Sequence, residues 1–141
     1  MKNNFIKLIT LLTVAVINTS CSTTEEVDID TTAPKVLIES PSVNQTYVGY
    51  WGGAWPEADK VIIKALGVDD TKIESIKLTV LNEIGTIVFE KTVNSVTNTQ
   101  TELVISASYT PTEIGTYSLV FTAIDLNGNI ENSVSRNFTV K

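Results

Sequence analysis

The stretch PTEIGTYSLVFTAIDLNGN, Pro111 to Asn129, sets the fold. From Thr116 to Ile124 its side chains alternate: Tyr117, Leu119, Phe121 and Ala123 share one parity, and Thr116, Ser118, Val120 and Thr122 take the other. Successive side chains of an extended chain point to opposite sides, so period two with β-branched and aromatic residues predicts a strand with one buried face. Gly115 punctuates one end and Asn127-Gly128-Asn129 the other. Asn-Gly readily takes the positive φ that a tight hairpin needs, so the run from Ile130 is expected to fold back antiparallel.

The same alternation recurs on both sides of this stretch. Upstream, Thr101 to Tyr109 points Leu103, Ile105, Ala107 and Tyr109 inward, and Thr86 to Thr92 carries Ile87 and Phe89 on one parity. Ile73 to Leu81 turns Ile76, Leu78 and Val80 inward, Lys60 to Leu66 does so with Val61, Ile63 and Ala65, and Pro34 to Ser40 with Val36 and Ile38. Asn82-Glu83-Ile84-Gly85 reads as a hairpin connection, and Thr46 to Val48 as a short edge piece. Downstream, Ile130 to Val140 places Val134, Phe138 and Val140 on one face. Beyond residues 1–20 no window shows a 3.6-residue apolar period, so helix is expected to be negligible. About seven short, punctuated strands predict an all-β protein in which two antiparallel sheets face each other. Cys21 is the single cysteine, so no intersheet disulfide is available and the apolar core must hold the layers together.

Three short runs carry a resemblance. Glu113-x-Gly115-x-Tyr117 resembles the D/E-x-G-x-Y signature that opens strand F of immunoglobulin-like domains, where the tyrosine forms the tyrosine corner. Ala123-Ile124-Asp125-Leu126-Asn127-Gly128-Asn129 looks like the A-x-D-x-x-G-N element closing the F–G hairpin of bacterial Ig-like repeats, and Asp30-Thr31-Thr32-Ala33-Pro34 resembles their opening. The match spans roughly residues 30 to 141, the size of one such domain. It implies an Ig-like antiparallel β-sandwich, with Gly115, Tyr117 and Gly128 as structural residues.

The N-terminus reads as an address. Residues 1–20 hold Lys2 and Lys7, an apolar run from Leu8 to Ile17, and small residues Thr19 and Ser20 before Cys21. A basic start, a short apolar core and a small-residue end make a secretory signal peptide, too short for a comfortable membrane span. Cys21 directly after Thr19-Ser20 resembles a bacterial lipobox of the relaxed Bacteroidota kind, with Asn18 in place of the usual Leu. That resemblance implies a diacylated Cys21 at the mature N-terminus, and membrane attachment through it as an outer-membrane lipoprotein facing the surface or the periplasm. Residues 21–33 are polar and acidic without apolar periodicity, which predicts a flexible tether ahead of the domain at 34–141. Glu25 and Glu26 resemble a surface-export signal of that phylum, and Asp30-Thr31-Thr32 its O-glycosylation sequon. The formal charge of −6 becomes −8 once Lys2 and Lys7 leave with an acid-free leader. Such a balance argues against nucleic acid and against electrostatic binding to membranes.

Catalytic chemistry is poorly supplied. The chain contains no histidine, which removes Ser-His-Asp and Cys-His mechanisms and imidazole metal sites. Asp69 and Asp70 are adjacent carboxylates in a short turn, a pattern of solvated loops more than of glycoside chemistry. No enzyme activity and no cofactor are expected. Asp125-x-Asn127-x-Asn129-x-Glu131 sets four oxygens at alternate positions, a spacing like that of a calcium loop. Gly128 is placed for a turn and only two of the four groups are charged, so turn chemistry is the expected role; Asp69 and Asp70 are the expected further ligands of any calcium site. The stretch Tyr50-Trp51-Gly52-Gly53-Ala54-Trp55-Pro56 stands apart, because it gathers both tryptophans between glycines and does not alternate. Tyr50, Trp51 and Trp55 are candidates for stacking on a glycan or anchoring an envelope protein. The competing reading is a core plug over an open end of the sandwich. A structural spacer or accessory subunit without its own ligand is the alternative function.

Overall fold

The computed structural model describes residues 28–49 and 58–141. Among them are eight strands and no helix: β1 (Lys35–Ser40), β2 (Gln45–Tyr47), β3 (Val61–Val68), β4 (Ile73–Leu81), β5 (Ile87–Asn94), β6 (Glu102–Tyr109), β7 (Gly115–Asp125) and β8 (Ile130–Val140). One sheet has the order β1-β3-β6 and the other β2-β8-β7-β4-β5. Every pairing is antiparallel except that of β2, which runs parallel to the end of β8 with Tyr47 opposite Val140. The protein is an Ig-like β-sandwich.

The alternation predicted from sequence is what the sheets bury. Tyr117, Leu119, Phe121 and Ala123 of β7 face Val61, Ile63 and Ala65 of β3 and Leu103 and Ile105 of β6 in one core that also holds Ile76, Leu78, Val80, Phe138 and Val140. Each large side chain wholly removed from water contributes roughly 1.5–3 kcal/mol, which is how two sheets without a disulfide between them stay together. An aromatic column reinforces one end. Tyr117 stacks on Phe138 with centroids 5.1 Å apart and planes 6° from parallel, and Tyr47 meets Phe138 edge-on at 5.6 Å. The Tyr117 hydroxyl donates to the Glu113 carbonyl at 2.8 Å, the tyrosine corner that the signature implies. Arg136 interrupts the apolar parity of β8 and uses its guanidinium as a strap, donating through Nη1 to the carbonyls of Ile38 and Pro41 at 3.1 and 2.9 Å.

Ile87 and Phe89, read as sharing one parity, do not share a face. Ile87 is 54% exposed, whereas Phe89 packs against the core. The β4–β5 register shifts between Val80 and Leu81, which breaks the parity at the hairpin and turns Ile87 outward. The short piece near Thr46 is a true eighth strand, its parallel partner lying some ninety residues away in sequence.

Strand directions define two poles. The N-terminal pole gathers the segment before β1, the β3–β4 turn, the β5–β6 loop and the β7–β8 hairpin. The far pole gathers the described ends of the connection from β2 to β3, the β4–β5 turn, the β6–β7 loop and the end of β8. At about 3.3 Å per residue, the 11-residue β7 separates them by roughly 35 Å.

Candidate functional site

The two described ends of the connection that holds the aromatic residues, Val48–Gly49 and Ala58–Asp59, meet at the far pole. Tyr50, Trp51 and Trp55 themselves lie outside the described residues, but both ends of their connection are described, and those ends are tied. Asp59 N–H donates to the Val48 carbonyl at 2.9 Å, and Val48 N–H donates to Asp59 Oδ2 at 2.8 Å. Gly49 N–H donates to the Lys141 carbonyl at 2.8 Å, and Lys141 N–H donates to the Tyr47 carbonyl at 3.0 Å. A Cβ on Gly49 would stand 3.0 Å from Val140 Cγ1 and 3.2 Å from Ile114 Cγ2, so the neck presses on the end of the sheet. Burial, with the Asp59 charge nearby, raises the Tyr47 phenol above its ordinary value.

Beside the neck lies an open depression of about 270 Å³ between the β4–β5 turn and the β6–β7 loop, bordered by Glu83, Ile84, Glu113 and Ile114. Ile84 and Ile114 are 86% and 59% exposed, so its rim is apolar as well as acidic. Gly115 forms its floor. Its φ is +143°, and a Cβ there would stand 2.8 Å from Glu83 Oε2, so glycine alone lets the β6–β7 loop close on the β4–β5 turn.

The N-terminal pole holds a different constellation. Asp125 is fully buried at the end of β7 and does turn chemistry: its Oδ1 accepts from the N–H groups of Asn127 and Asn129 at 2.9 and 2.7 Å, and its Oδ2 from Asn129 Nδ2 at 2.7 Å. Gly128, at φ +84°, completes the hairpin. Asp69 is also buried, in the β3–β4 turn, with Oδ1 accepting from Thr71 N–H and Oγ1, both at 2.9 Å, and from Lys72 N–H at 2.8 Å. Asp30 joins them from the segment ahead of β1. It accepts from Thr32 N–H at 2.8 Å and from the Thr71 hydroxyl, and its carbonyl accepts from Asn129 Nδ2 at 3.0 Å. Those bonds, Thr71's first and Thr32's second, hold the Asp30 carboxyl below the usual carboxylate value.

Asp30, Asp69 and Asp125 each place a carboxylate oxygen within 4.8 Å of the other two. Two unit charges 4.8 Å apart repel by roughly 3–4 kcal/mol at an effective dielectric near 20, so for the buried Asp69–Asp125 pair the juxtaposition costs stability unless something offsets it. Oxygen donors of this kind suit hard cations such as calcium. Asp70 is exposed and stands outside the cluster, whereas Asp30, assigned to the tether from sequence, stands inside it. A sequence signal for two of the three exists: Asp69 continues the inward parity of Val61, Ile63, Ala65 and Gly67, and Asp125 that of Tyr117 to Ala123. Cys21 lies outside the described residues.

No protein-family model matches the chain, and no curated protein matches it in sequence. Solved structures do resemble it. An engineered protein from the Northeast Structural Genomics Consortium superposes with a TM-score of 0.51 at 18% identity over 77% of this chain, which spans 20% of that protein's length. The fibronectin(III)-like modules of Clostridium thermocellum CbhA give a TM-score of 0.48 at 18% identity, covering 76% of this chain and 97% of theirs. A CARDB domain from Pyrococcus furiosus, solved in complex with di-metal ions, gives 0.44 at 16% identity, covering 77% and 86%. Likeness at such identity concerns the fold alone.

Proposed function

We propose that the chain is a non-enzymatic binding module, held at the outer membrane of a Bacteroidota-type bacterium by acyl chains on Cys21. It presents the Tyr50–Trp55 segment to a glycan or an envelope protein. The observation that carries this reading is the tied neck at the far pole. Reciprocal bonds between Val48 and Asp59 close the base of a segment holding both tryptophans, roughly 35 Å from where the N-terminal segment meets the sandwich. A fixed base lowers the ordering cost of binding, and indole rings offer large apolar area at little rotamer cost. The apolar, acidic depression beside the neck extends the surface available to a partner. The lack of histidine supports the non-enzymatic reading.

Tryptophan emission on addition of oligosaccharides tests the glycan form, because a sugar stacking on Trp51 or Trp55 must perturb it. Pull-down from envelope extract with wild type and with the Trp51→Ala, Trp55→Ala double variant tests the protein form. Loss of the response or of the captured partner in the variant supports the module. A variant that keeps wild-type binding and melts lower contradicts it and makes the indoles a core plug.

A further inference from the structure

The geometry points to a calcium site at the N-terminal pole, formed by Asp30, Asp69 and Asp125, that fastens the segment ahead of β1 onto the β3–β4 turn and the β7–β8 hairpin. Three observations converge on it. The three carboxylates approach one another within 4.8 Å, and neither of the two ion pairs among the described residues, Lys64–Glu39 and Lys77–Glu90, involves them. Asp69 is 5% exposed, and while its Oδ1 accepts three hydrogen bonds, its buried Oδ2 has no partner. Proteins seldom bury a carboxylate oxygen with nothing to satisfy it. The third observation is a shortage of protons. The Thr71 hydroxyl stands within bonding distance of both Asp30 Oδ2 and Asp69 Oδ1, yet it has one hydrogen to give. A cation answers all three, since it neutralises the cluster and takes Oδ2 of Asp69 as a ligand.

The donor set selects the ion. The carboxylates bring oxygen only, and the chain has no histidine to add nitrogen, which disfavours zinc and copper. Calcium accepts irregular oxygen shells completed by carbonyls and water, whereas magnesium demands a near-ideal octahedron and keeps most of its water. Asp30 is the partner that gives the site its consequence. Asp69 and Asp125 are already fixed by their own turns, so what a cation adds is the attachment of the N-terminal segment, and with it the angle at which the sandwich leaves its anchor. This site stands whether or not the aromatic segment binds anything.

The full-length chain, purified in detergent and stripped with chelator, is titrated with calcium chloride while its melting temperature and backbone amide exchange are followed. At calcium about a hundredfold above its dissociation constant, wild type is expected to melt roughly 10 °C higher. Exchange over residues 30–33 should slow, and chelator should reverse both effects. Asp69→Asn keeps an acceptor for the turn but puts an amide where Oδ2 was, and Asp30→Asn keeps the size and one acceptor oxygen at a half-buried position ahead of β1, outside both sheets. Each is expected to weaken the calcium response about tenfold or more in concentration. Equal melting of wild type in calcium and in chelator overturns the site, as does a wild-type response in Asp30→Asn. Unchanged exchange over residues 30–33 overturns the fastening.

Discussion

Tyr117 offers a two-step test of how the sandwich is held at its far pole. Its ring is 2% exposed, stacked on Phe138 at 5.1 Å and met by Tyr109 at 6.0 Å, while its hydroxyl donates to the Glu113 carbonyl at 2.8 Å. Tyr117→Phe removes the bond and leaves the ring. Because Glu113 lies in an exposed loop, water can replace the lost donor, and the cost stays near the net worth of one hydrogen bond, ~0.5–1.5 kcal/mol. Tyr117→Ala removes the ring as well and leaves a cavity beside Phe138, at a cost of about 3–5 kcal/mol. For a domain of this size 1 kcal/mol shifts the midpoint by roughly 4 °C, so the two variants are expected to melt ~2–6 °C and ~12–20 °C below wild type. Urea unfolding followed by circular dichroism should show the phenylalanine variant with a lower midpoint and an unchanged slope. A phenylalanine variant as stable as wild type would refute a stabilising role for the corner, and an alanine variant no worse than phenylalanine would refute the stacked aromatic column.

Two further outcomes follow from single residues. Gly115→Ala must hold a side chain at φ +143° with its Cβ 2.8 Å from Glu83 Oε2, and is expected to lose about 1–3 kcal/mol in urea unfolding. Burial, and then the proximity of Tyr117, pushes the Tyr109 phenol up to about 12 from its ordinary 10.0. Its folded form therefore prefers the proton, so the stability it contributes is complete below pH 10 and is lost as pH rises towards 12; phenolate absorbance at 295 nm should show late tyrosine titration in the native chain that is reduced in Tyr109→Phe and absent in urea.

The inward face of most strands was legible because parity is a local property. Val61, Ile63 and Ala65, like Leu119 and Phe121, are wholly buried, as their spacing requires. Parity misled at Ile87, where a register shift beside an edge strand cancels it, and it said little about Gln45–Tyr47, whose three residues owe their strand to a distant parallel partner. The acidic cluster was half legible. Asp125 and Asp69 stood out as carboxylates in turns, but Asp30 joins them only because the chain ahead of β1 returns across the pole, a contact about a hundred residues apart in sequence from Asn129. Composition alone made that segment a tether. The aromatic segment shows the converse: its residues were conspicuous in sequence, while the tie between Val48 and Asp59 that fixes its base was not.

The proposed function requires the Tyr50–Trp55 segment, whose described neck at Val48 and Asp59 lies at the far pole, to stand away from the N-terminal segment. Both tryptophans belong to that one segment, so they are a native energy-transfer donor whose position a dye can report. In a Cys21→Ala background, an acceptor dye is attached through Thr32→Cys at the N-terminal pole or through Ile84→Cys at the far pole, both exposed positions. Strong quenching of tryptophan emission from position 84 and weak quenching from position 32 is the predicted result. Stronger quenching from position 32 would place the aromatic segment at the tethered end and contradict it.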